Sequence, residues 1–320
     1  MACIFVFIDG VGVGQKDPSM NPLARLPTFL SVFNDGSVTK PDARVFVGTA
    51  DATLGVSGRP QSATGQASIF TGDNASAFLG RHLLGFPNAA LRSFIQERSI
   101  FRRLKAAGAR VTFANAFPES ILRLLNLPHR ASGRVEPELP PAARHAKPSA
   151  STCAIAAADV PLRTLDDAWN GEAVTHDFTG ASGRRRGFDL PQRTPEEAAG
   201  IISALARSHE MVLVEHFLLD KAGHAQDMET ALAVLSDLDR FLGKMIEILR
   251  PGETLLVSSD HGNVEDLATH SHTINRVPVI AAGGSAAELV AQVKDVSDLA
   301  RAIEIAVSRP ALRVGHEAAS

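Results

Sequence analysis

The sequence has few cysteines, little net charge and no long hydrophobic run, and each absence excludes a class of protein. Only two cysteines, Cys3 and Cys153, occur in 320 residues, which is too few for a disulfide framework and is consistent with a reducing cytoplasm. The formal net charge of -3 gives no reason to expect a nucleic acid or an anionic membrane as a partner. No apolar stretch approaches the roughly 18 residues that would span a bilayer.

The first residues are also unlike a secretory leader. They enter an apolar segment, CIFVFI, at once, without a basic region or a small-residue cleavage site, so we expect a soluble cytoplasmic protein. With 45% hydrophobic and 21% charged residues, the chain has ordinary globular composition and is long enough for about two domains.

Patterns of buried strands alternate with helical patterns along the chain. A continuous apolar run at 3–8, and similar patterns at 211–217 and 254–258, predict strands covered on both faces, as in a parallel sheet. Apolar residues at helical spacing over 228–249 predict a long amphipathic helix between the last two strands, and 195–208 reads as a second covering helix. This alternation predicts an α/β fold with a doubly wound, mainly parallel sheet.

The middle of the chain has a looser pattern, and residues 134–148 are rich in proline and charge. A helix over 94–105 and a strand over 110–114 are still indicated there. We predict a smaller inserted α+β cap domain over 88–161, and a catalytic core formed by residues 1–87 and 162–320, with boundaries uncertain by roughly 15 residues. Near the start of the core, Asn21 is a suitable N-cap for a helix over 22–33.

Acidic residues follow three of the predicted strands. Ligands bind outside the carboxyl ends of strands in doubly wound sheets, and Asp9, Asp220 and Asp260 lie where such strands should end. His224 follows Asp220 by four residues, so that one helical turn could aim both side chains at one ion. Asp260 and His261 are adjacent and would usually point to opposite sides, which suits two different ions.

A further imidazole, His272, lies in the loop that follows. A single acid at a strand end is commonly a cap or turn residue, but three acids accompanied by three histidines indicate metal binding. The sequence therefore predicts a two-metal site, a kind of site that catalyses phosphoryl transfer by stabilising both the attacking and the leaving oxygen.

Ser62 is the candidate nucleophile. It follows a Gly/Pro-rich loop and precedes an apolar, helix-compatible run, and a serine at a helix N-terminus lies within reach of free backbone N–H groups that stabilise a phosphoryl anion. Metal coordination would lower the pKa of its hydroxyl. The alternative is that Ser62 only caps the helix, and Thr64 is a second candidate nucleophile.

Five motifs together resemble those of one enzyme family. They are Asp-Gly-Val-Gly at 9–12, with Asn21 following, Ser-Ala-Thr-Gly at 62–65, Asp-Lys-Ala-Gly-His at 220–224, Asp-His-Gly-Asn at 260–263, and His-Thr-Ile-Asn-Arg-Val-Pro at 272–278. In these motifs the chain resembles the branch of the alkaline phosphatase superfamily that contains cofactor-independent phosphoglycerate mutase and phosphopentomutase.

The resemblance implies an alkaline phosphatase-like core, two divalent ions and phosphoryl transfer through a phosphoserine at Ser62. It favours Mn²⁺, and ligands without thiolate also suit Zn²⁺ or, less well, Mg²⁺. His270 is taken as a loop histidine, because only His272 begins the last motif. The implied ligands are Asp220, His224 and His272 for one ion, and Asp9, Asp260 and His261 for the other, with Ser62 Oγ beside the second.

The chain also departs from the family. Gln66 stands where phosphoglycerate mutases usually carry a histidine, and the insertion is much shorter than theirs. Arginines that could hold a small phosphorylated substrate are Arg59, Arg184, Arg185 and Arg186. The sequence leaves two acceptors for the phosphoryl group: water, as in a phosphatase, or a hydroxyl of the substrate, as in a mutase. Hydrolysis of a phosphodiester, phosphonate or sulfate ester, and metal binding without turnover, are the alternatives.

Overall fold

The computed structural model describes residues 2–308, so the last part of the predicted catalytic core, residues 309–320, lies outside the described residues. Six strands form one sheet and two more form a small second sheet. The strands are β1 (Cys3–Ile8), β2 (Val45–Ala50), β3 (Val111–Phe113), β4 (Ala116–Phe117), β5 (Arg163–Thr164), β6 (Met211–His216), β7 (Thr254–Ser258) and β8 (Val277–Gly283).

Helices cover the main sheet on both faces, and a short 3₁₀ helix spans Pro141–His145. Among the described residues, none of the helices combines the length and hydrophobicity that crossing a bilayer requires. The helices are α1 (Pro22–Arg25), α2 (Ser62–Thr71), α3 (Ala75–Leu79), α4 (Ala89–Arg98), α5 (Ile100–Ala106), α6 (Glu119–Leu124), α7 (Ala150–Ala156), α8 (Leu165–Trp169), α9 (Ala181–Arg185), α10 (Pro195–Ala206), α11 (Leu218–Ala225), α12 (Met228–Ile248), α13 (Ala286–Gln292) and α14 (Asp298–Ser308).

The main sheet is mostly parallel, as predicted. Its strand order is β2-β8-β7-β1-β6-β3, with β1 paired in parallel to both β6 and β7, and β3 in parallel to β6. Only β8 runs antiparallel to its neighbours β7 and β2. Because parallel strands end at the same edge of the sheet, the residues that follow β1, β6 and β7 come together there.

Alternate residues of β1 pack into two different hydrophobic cores. Phe5 and Phe7 belong to the core under α2, α4, α5 and α7, where the ring of Phe70 lies 5.7 Å from that of Phe7. Ile4 and Val6 belong to the opposite core, under α10 and α12. All six residues of β1 are buried, which explains why the strand has no polar residue on either face and confirms the doubly wound arrangement.

Two predicted helices differ from the structure. The helix expected over 22–33 begins as predicted, with the Asn21 side chain accepting from the Leu23 N–H, but it ends at Arg25. Leu26 precedes Pro27, whose ring disfavours the helical region for the residue before it, and Leu26 is extended at φ -117°. The helix expected over 94–105 is interrupted at Ser99, whose side chain caps α5.

Part of the segment 88–161, which was predicted as a cap, packs with the main sheet and its core. β3 lies in the main sheet, and buried residues of α4, α5 and α7 belong to the core around Phe5 and Phe70, because these helices bury apolar faces against α2. A separate small sheet pairs β4 with β5. We propose that this smaller unit is the cap; its own apolar cluster consists of Ala116, Leu165, Ala168, Ala173, Phe188 and Leu190.

Candidate metal centre

Three carboxylates converge at the carboxyl edge of the sheet. Asp9 directly follows β1, and Asp260 follows β7 after one residue, Ser259. Asp220 was expected at a strand end, but β6 ends at His216 and Asp220 lies in the first turn of α11. Its carboxylate is nevertheless close to the other two: the pKa values of Asp9 and Asp260 are raised mainly by burial, and the charge of Asp220 raises both further.

The first group of ligand-type side chains is Asp220, His224 and His272. Asp220 and His224 are one helical turn apart, with Asp220 Oδ2 3.3 Å from His224 Nε2. His272 comes from the loop before β8, and its Nε2 lies 3.6 Å from Asp220 Oδ1 and 3.1 Å from His224 Nε2. One carboxylate oxygen and two imidazole nitrogens therefore surround a common point, within reach of one ion.

Backbone carbonyls orient both imidazoles of this group. His224 Nδ1 lies 2.8 Å from the carbonyl of His270, and His272 Nδ1 lies 3.0 Å from that of Pro60. A carbonyl can only accept, so each Nδ1 carries a hydrogen. In the neutral rings the two Nε2 lone pairs then face each other at 3.1 Å. A cation between these lone pairs relieves that repulsion, so the arrangement fits a metal ion.

The second group is Asp9, Asp260 and His261. His261 Nε2 lies 3.3 Å from Asp9 Oδ1 and 3.5 Å from Asp260 Oδ2. The adjacent side chains of Asp260 and His261 thus lie close to one another and, with Asp9, form one group, rather than pointing to opposite sides of the chain. The Oδ1 atoms of Asp9 and Asp260 are buried without a hydrogen-bond partner, which also fits a bound cation.

Gln66 joins the two carboxylates of the second group. Its side-chain amide donates to Asp9 Oδ2 at 3.3 Å and to Asp260 Oδ2 at 3.1 Å. The two groups are in turn joined by the rings of His261 and His272, which stack with centroids 3.7 Å apart. The six side chains therefore form one continuous centre, with Gln66 on the side of α2.

In the absence of a cation, the environment of this centre disfavours the charged forms of its buried carboxyl groups and of the His261 imidazole. Burial raises the pKa of Asp9 well above its usual range, and the Asp260 and Asp220 carboxylates raise it further. Burial, followed by Asp220, raises the pKa of Asp260 to about 8. The pKa of His261 is lowered, first by burial and then by His272. Closely spaced, desolvated carboxylates with neutral imidazoles are the donor set of a divalent ion.

Ser62 lies beside the second group. Its Oγ is 3.0 Å from His261 Nε2, and it is the first residue of α2, whose N-cap is Gln61. The hydroxyl of Ser62 therefore does not act as the helix cap. Thr64, the other candidate nucleophile, is fully buried; its hydroxyl donates to the Gln61 carbonyl and accepts from the Leu83 N–H.

Sequence reasoning did not identify Glu265. This buried carboxylate accepts hydrogen bonds from the backbone N–H groups of Gly12 and Asn263, and from the side chains of Thr273 and Asn275. It thereby joins the loops that carry Asp9, Asp260 and His272. A glutamate shortly after the Asp-His-Gly-Asn motif has no distinctive spacing, so only the contacts reveal its role.

A second acid–imidazole pair was also missed. Glu215 interrupts the apolar run of β6 and is buried, with its Oε2 3.6 Å from His176 Nε2 and its Oε1 accepting from Ser151 Oγ at 2.8 Å. The pair faces the cavity that contains Ser62. An ionisable residue inside an otherwise apolar strand is the signal that could have identified it.

The four candidate substrate arginines lie in different environments. Arg186 lines the cavity that contains Ser62. Arg184 instead donates to the carbonyls of Thr179 and Pro191, which is a structural role within the cap. Arg185 and Arg59 are exposed, and the charge of Arg59 contributes to lowering the pKa of His272.

Comparison with protein families assigns the chain to a class. A family model described as the Metalloenzyme superfamily matches residues 140–303, which is just over half of the chain. The chain belongs to the Metalloenzyme superfamily and, by that membership, is a metal-dependent enzyme.

Curated relatives match a shorter part of the chain. Over 100 residues it is 33% identical to the 2,3-bisphosphoglycerate-independent phosphoglycerate mutase of Cereibacter sphaeroides, an alignment of 29% of this chain and 20% of the relative. Over 107 residues it is 34% identical to the enzyme of the same name from Dinoroseobacter shibae, covering 30% and 21%. The match therefore spans about a fifth of the length of these relatives.

Solved structures share the fold over nearly the whole chain. The PH0037 protein of Pyrococcus horikoshii superimposes with a TM-score of 0.57 at 13% identity, covering 97% of both chains. A cold-active alkaline phosphatase from a psychrophilic Shewanella superimposes with a TM-score of 0.53 at 13% identity, covering 97% of this chain and 100% of that one. The predicted alkaline phosphatase-like α/β fold is confirmed.

Proposed function

We propose that the protein transfers the phosphoryl group of a small phosphate monoester to Ser62 and then to an acceptor. The observation that carries this proposal is the 3.0 Å contact between Ser62 Oγ and His261 Nε2, which puts an alcohol against one of two joined groups of metal-type ligands. The family membership and the named mutase and phosphatase relatives support the same chemistry.

Two divalent cations complete the proposed centre. Asp220, His224 and His272 would hold one, and Asp9, Asp260 and His261 would hold the other. When bound, such ions supply positive charge to phosphoryl oxygens and lower the pKa of the serine hydroxyl. Carboxylate oxygens and imidazole nitrogens without thiolate suit Mn²⁺ or Zn²⁺, and Mg²⁺ less well; we propose Mn²⁺.

The side chains around Ser62 orient the reaction. In the proposed step a bond forms between Ser62 Oγ and phosphorus while the bond from phosphorus to the leaving oxygen breaks. Because Ser62 begins α2, the free N–H groups of the first helical turn lie near the incoming phosphoryl oxygens. Gln66 holds the carboxylates of Asp9 and Asp260 in place as a neutral donor.

The acceptor in the second step defines two versions of this function. With water, the phosphoserine is hydrolysed and the protein is a phosphatase; with a second hydroxyl of the substrate, it is a phosphomutase. The relatives named as mutases favour the second version. The small cap and the short insertion favour the first, because a mutase has to retain its substrate between the two transfers.

The test is phosphate incorporation by the metal-loaded protein. We expect incubation with phosphorylated sugars, glycerates and simple alkyl phosphates to produce a phosphopeptide containing Ser62, detected by mass spectrometry. The Ser62→Ala variant should lose both incorporation and turnover while retaining its metals. If the wild-type protein shows neither phosphate incorporation nor turnover of phosphate monoesters, but cleaves phosphodiesters, phosphonates or sulfate esters, then it is a hydrolase of one of those esters. If it turns over no ester at all, it is a metal-binding protein without this activity.

A further inference from the structure

A cavity of about 490 Å³ extends from the proposed metal centre toward the cap. At one end it is lined by Asp9, Ser62, Gln66 and Asp220, and this end contains the chemistry described above. The volume is in the range of pockets that enclose a drug-sized ligand. The cavity is therefore larger than a phosphoryl group alone requires, and the residues along its remaining wall define what else it accepts.

The wall away from the metal centre is largely apolar. Phe117 on β4 and the end of α6, with the residues after it, contribute half-buried aliphatic and aromatic side chains. On one side the ring of Phe117 lies 5.1 Å from the ring of His176, which lies 4.9 Å from that of Phe217, so three rings form a continuous row. The half-buried aliphatic residues on this wall are Ile121, Leu125 and Leu127, and the fully buried Leu122 lies among them.

Three cations line the same cavity: Lys147, Arg186 and Lys221. Among the residues that the structure describes, none of the three has a carboxylate within 4.0 Å. Lys221 instead lies over the ring of Phe217, 4.4 Å from its centroid. Unpaired cations beside an apolar wall are complementary to an anion that carries an apolar body.

Resting on the phosphoryl transfer proposed above, we propose that the substrate is a phosphate monoester whose organic part is apolar. The phosphate lies at Ser62, and the organic part packs against Phe117, Ile121 and Leu125. A polar three-carbon acid of the kind that phosphoglycerate mutases are named for would leave this wall in contact with water. The apolar wall would then contribute nothing to binding, because its contribution scales with the apolar area removed from water.

A homologous series of alkyl phosphates tests this inference, because its members share one leaving group and differ only in apolar length. The Mn²⁺-loaded Ser62→Ala variant is titrated by calorimetry with ethyl, butyl and hexyl phosphate, so that binding is measured without turnover. We expect the affinity to rise about two- to fourfold for each added methylene, and glycerol phosphate to bind no better than ethyl phosphate.

Variants of the wall connect the effect to the cavity. Leu125→Asp in the same background should abolish most of the dependence on chain length, and Ile121→Ser should reduce it. The matched control is Leu124→Asp: this neighbour is 47% exposed and does not line the cavity, so the dependence should persist. Circular dichroism verifies that each variant is folded. If Leu125→Asp does not fold, the milder change Ile121→Ser replaces it in the test.

The outcomes separate this inference from the function on which it rests. An affinity that does not change with chain length, or tighter binding of glycerol phosphate than of hexyl phosphate, overturns the inference while Ser62 phosphorylation can still be observed. Conversely, chain-length dependence without phosphate on Ser62 in the wild-type protein would overturn the phosphoryl transfer and retain only the binding preference.

Discussion

Glu265 Oε2 accepts a hydrogen bond from the backbone N–H of Gly12 at 2.8 Å, across 253 positions of the chain. The same oxygen accepts from the Asn263 N–H at 2.7 Å. The loop after β1 is thereby fixed to the loop after β7, and each of these loops carries residues of the second group of ligand-type side chains. The approach is so close that a Cβ on Gly12 would lie 2.2 Å from Glu265 Oε1.

Removing the charge of Glu265 should loosen both loops. We expect Glu265→Gln to lower the free energy of unfolding by about 2 kcal/mol, because a buried carboxylate that accepts several hydrogen bonds is replaced by a group that also donates. Urea unfolding measures the loss, and titration with Mn²⁺ should show weaker binding. Glu229→Gln, at an exposed position in the first turn of α12, is the control; equal losses in both variants would argue against the role given to Glu265.

The two histidines of the loop before β8 should differ in effect. His272→Ala removes a ligand of the first group, so the bound metal should fall from two ions to one per chain, as measured by elemental analysis after dialysis. His270→Ala should retain both ions, since only the backbone carbonyl of His270 contacts the centre, by accepting from His224. Loss of an ion from the His270 variant would mean that the ligands are assigned wrongly.

Gln66 should increase metal affinity without binding the metal itself. In Gln66→Leu the carboxylates of Asp9 and Asp260 lose their shared amide donor, and groups that orient ligands in this way commonly contribute about ten- to a hundredfold to metal affinity. We expect a rise of that size in the Kd for one of two Mn²⁺ ions, measured by competition with a chelating dye. Gln292→Leu on the surface of α13 should leave both Kd values unchanged.

The contribution of Asp260 to the stability of the metal-free protein should fall as the pH rises. The pKa of Asp260 is raised from 3.8 to about 8 by burial and by Asp220, so the folded state retains a proton that the unfolded state has lost. This contribution is fully present below about pH 4 and disappears by about pH 8. Urea unfolding of EDTA-treated protein at pH 5 and pH 8 checks the direction, and Mn²⁺ should restore stability at pH 8.

Asp260→Asn provides the matched variant for that experiment. The histidines are common to both proteins, so the difference in unfolding free energy between metal-free wild type and Asp260→Asn isolates the contribution of Asp260 and should shift against the wild type from pH 5 to pH 8, because the asparagine does not ionise. The variant should also gain less stability from Mn²⁺. A difference that stays constant between pH 5 and pH 8 would contradict the electrostatic description of the centre.

Strands and motif-bearing loops could be predicted from the sequence because local signals determine them. Strands β1 and β7 have the predicted bounds, since a strand buried on both faces is a continuous apolar run with sharp ends. The six ligand-type residues lie in short motifs with characteristic spacing. The first helix was predicted too long because the effect of Pro27 on Leu26 competes with a helical apolar pattern that continues beyond it.

Residues that act through tertiary contacts had no such signal. Glu265 and the pair of Glu215 and His176 are recognised only by what they contact, across loops and strands far apart in sequence. The positions of α4, α5 and α7 had no such signal either: their apolar faces fit either a separate domain or the main core, and only the packing against α2 places them in the main core.

The central position of β1 has a consequence for the order in which the protein folds. This strand is synthesised long before its two neighbours in the sheet, which begin at Met211 and Thr254, so it has no strand partner until those later residues have followed. Contacts of such high sequence separation form slowly. An apolar strand without a partner is prone to aggregation, and acquisition of metal would mark the end of folding rather than its start.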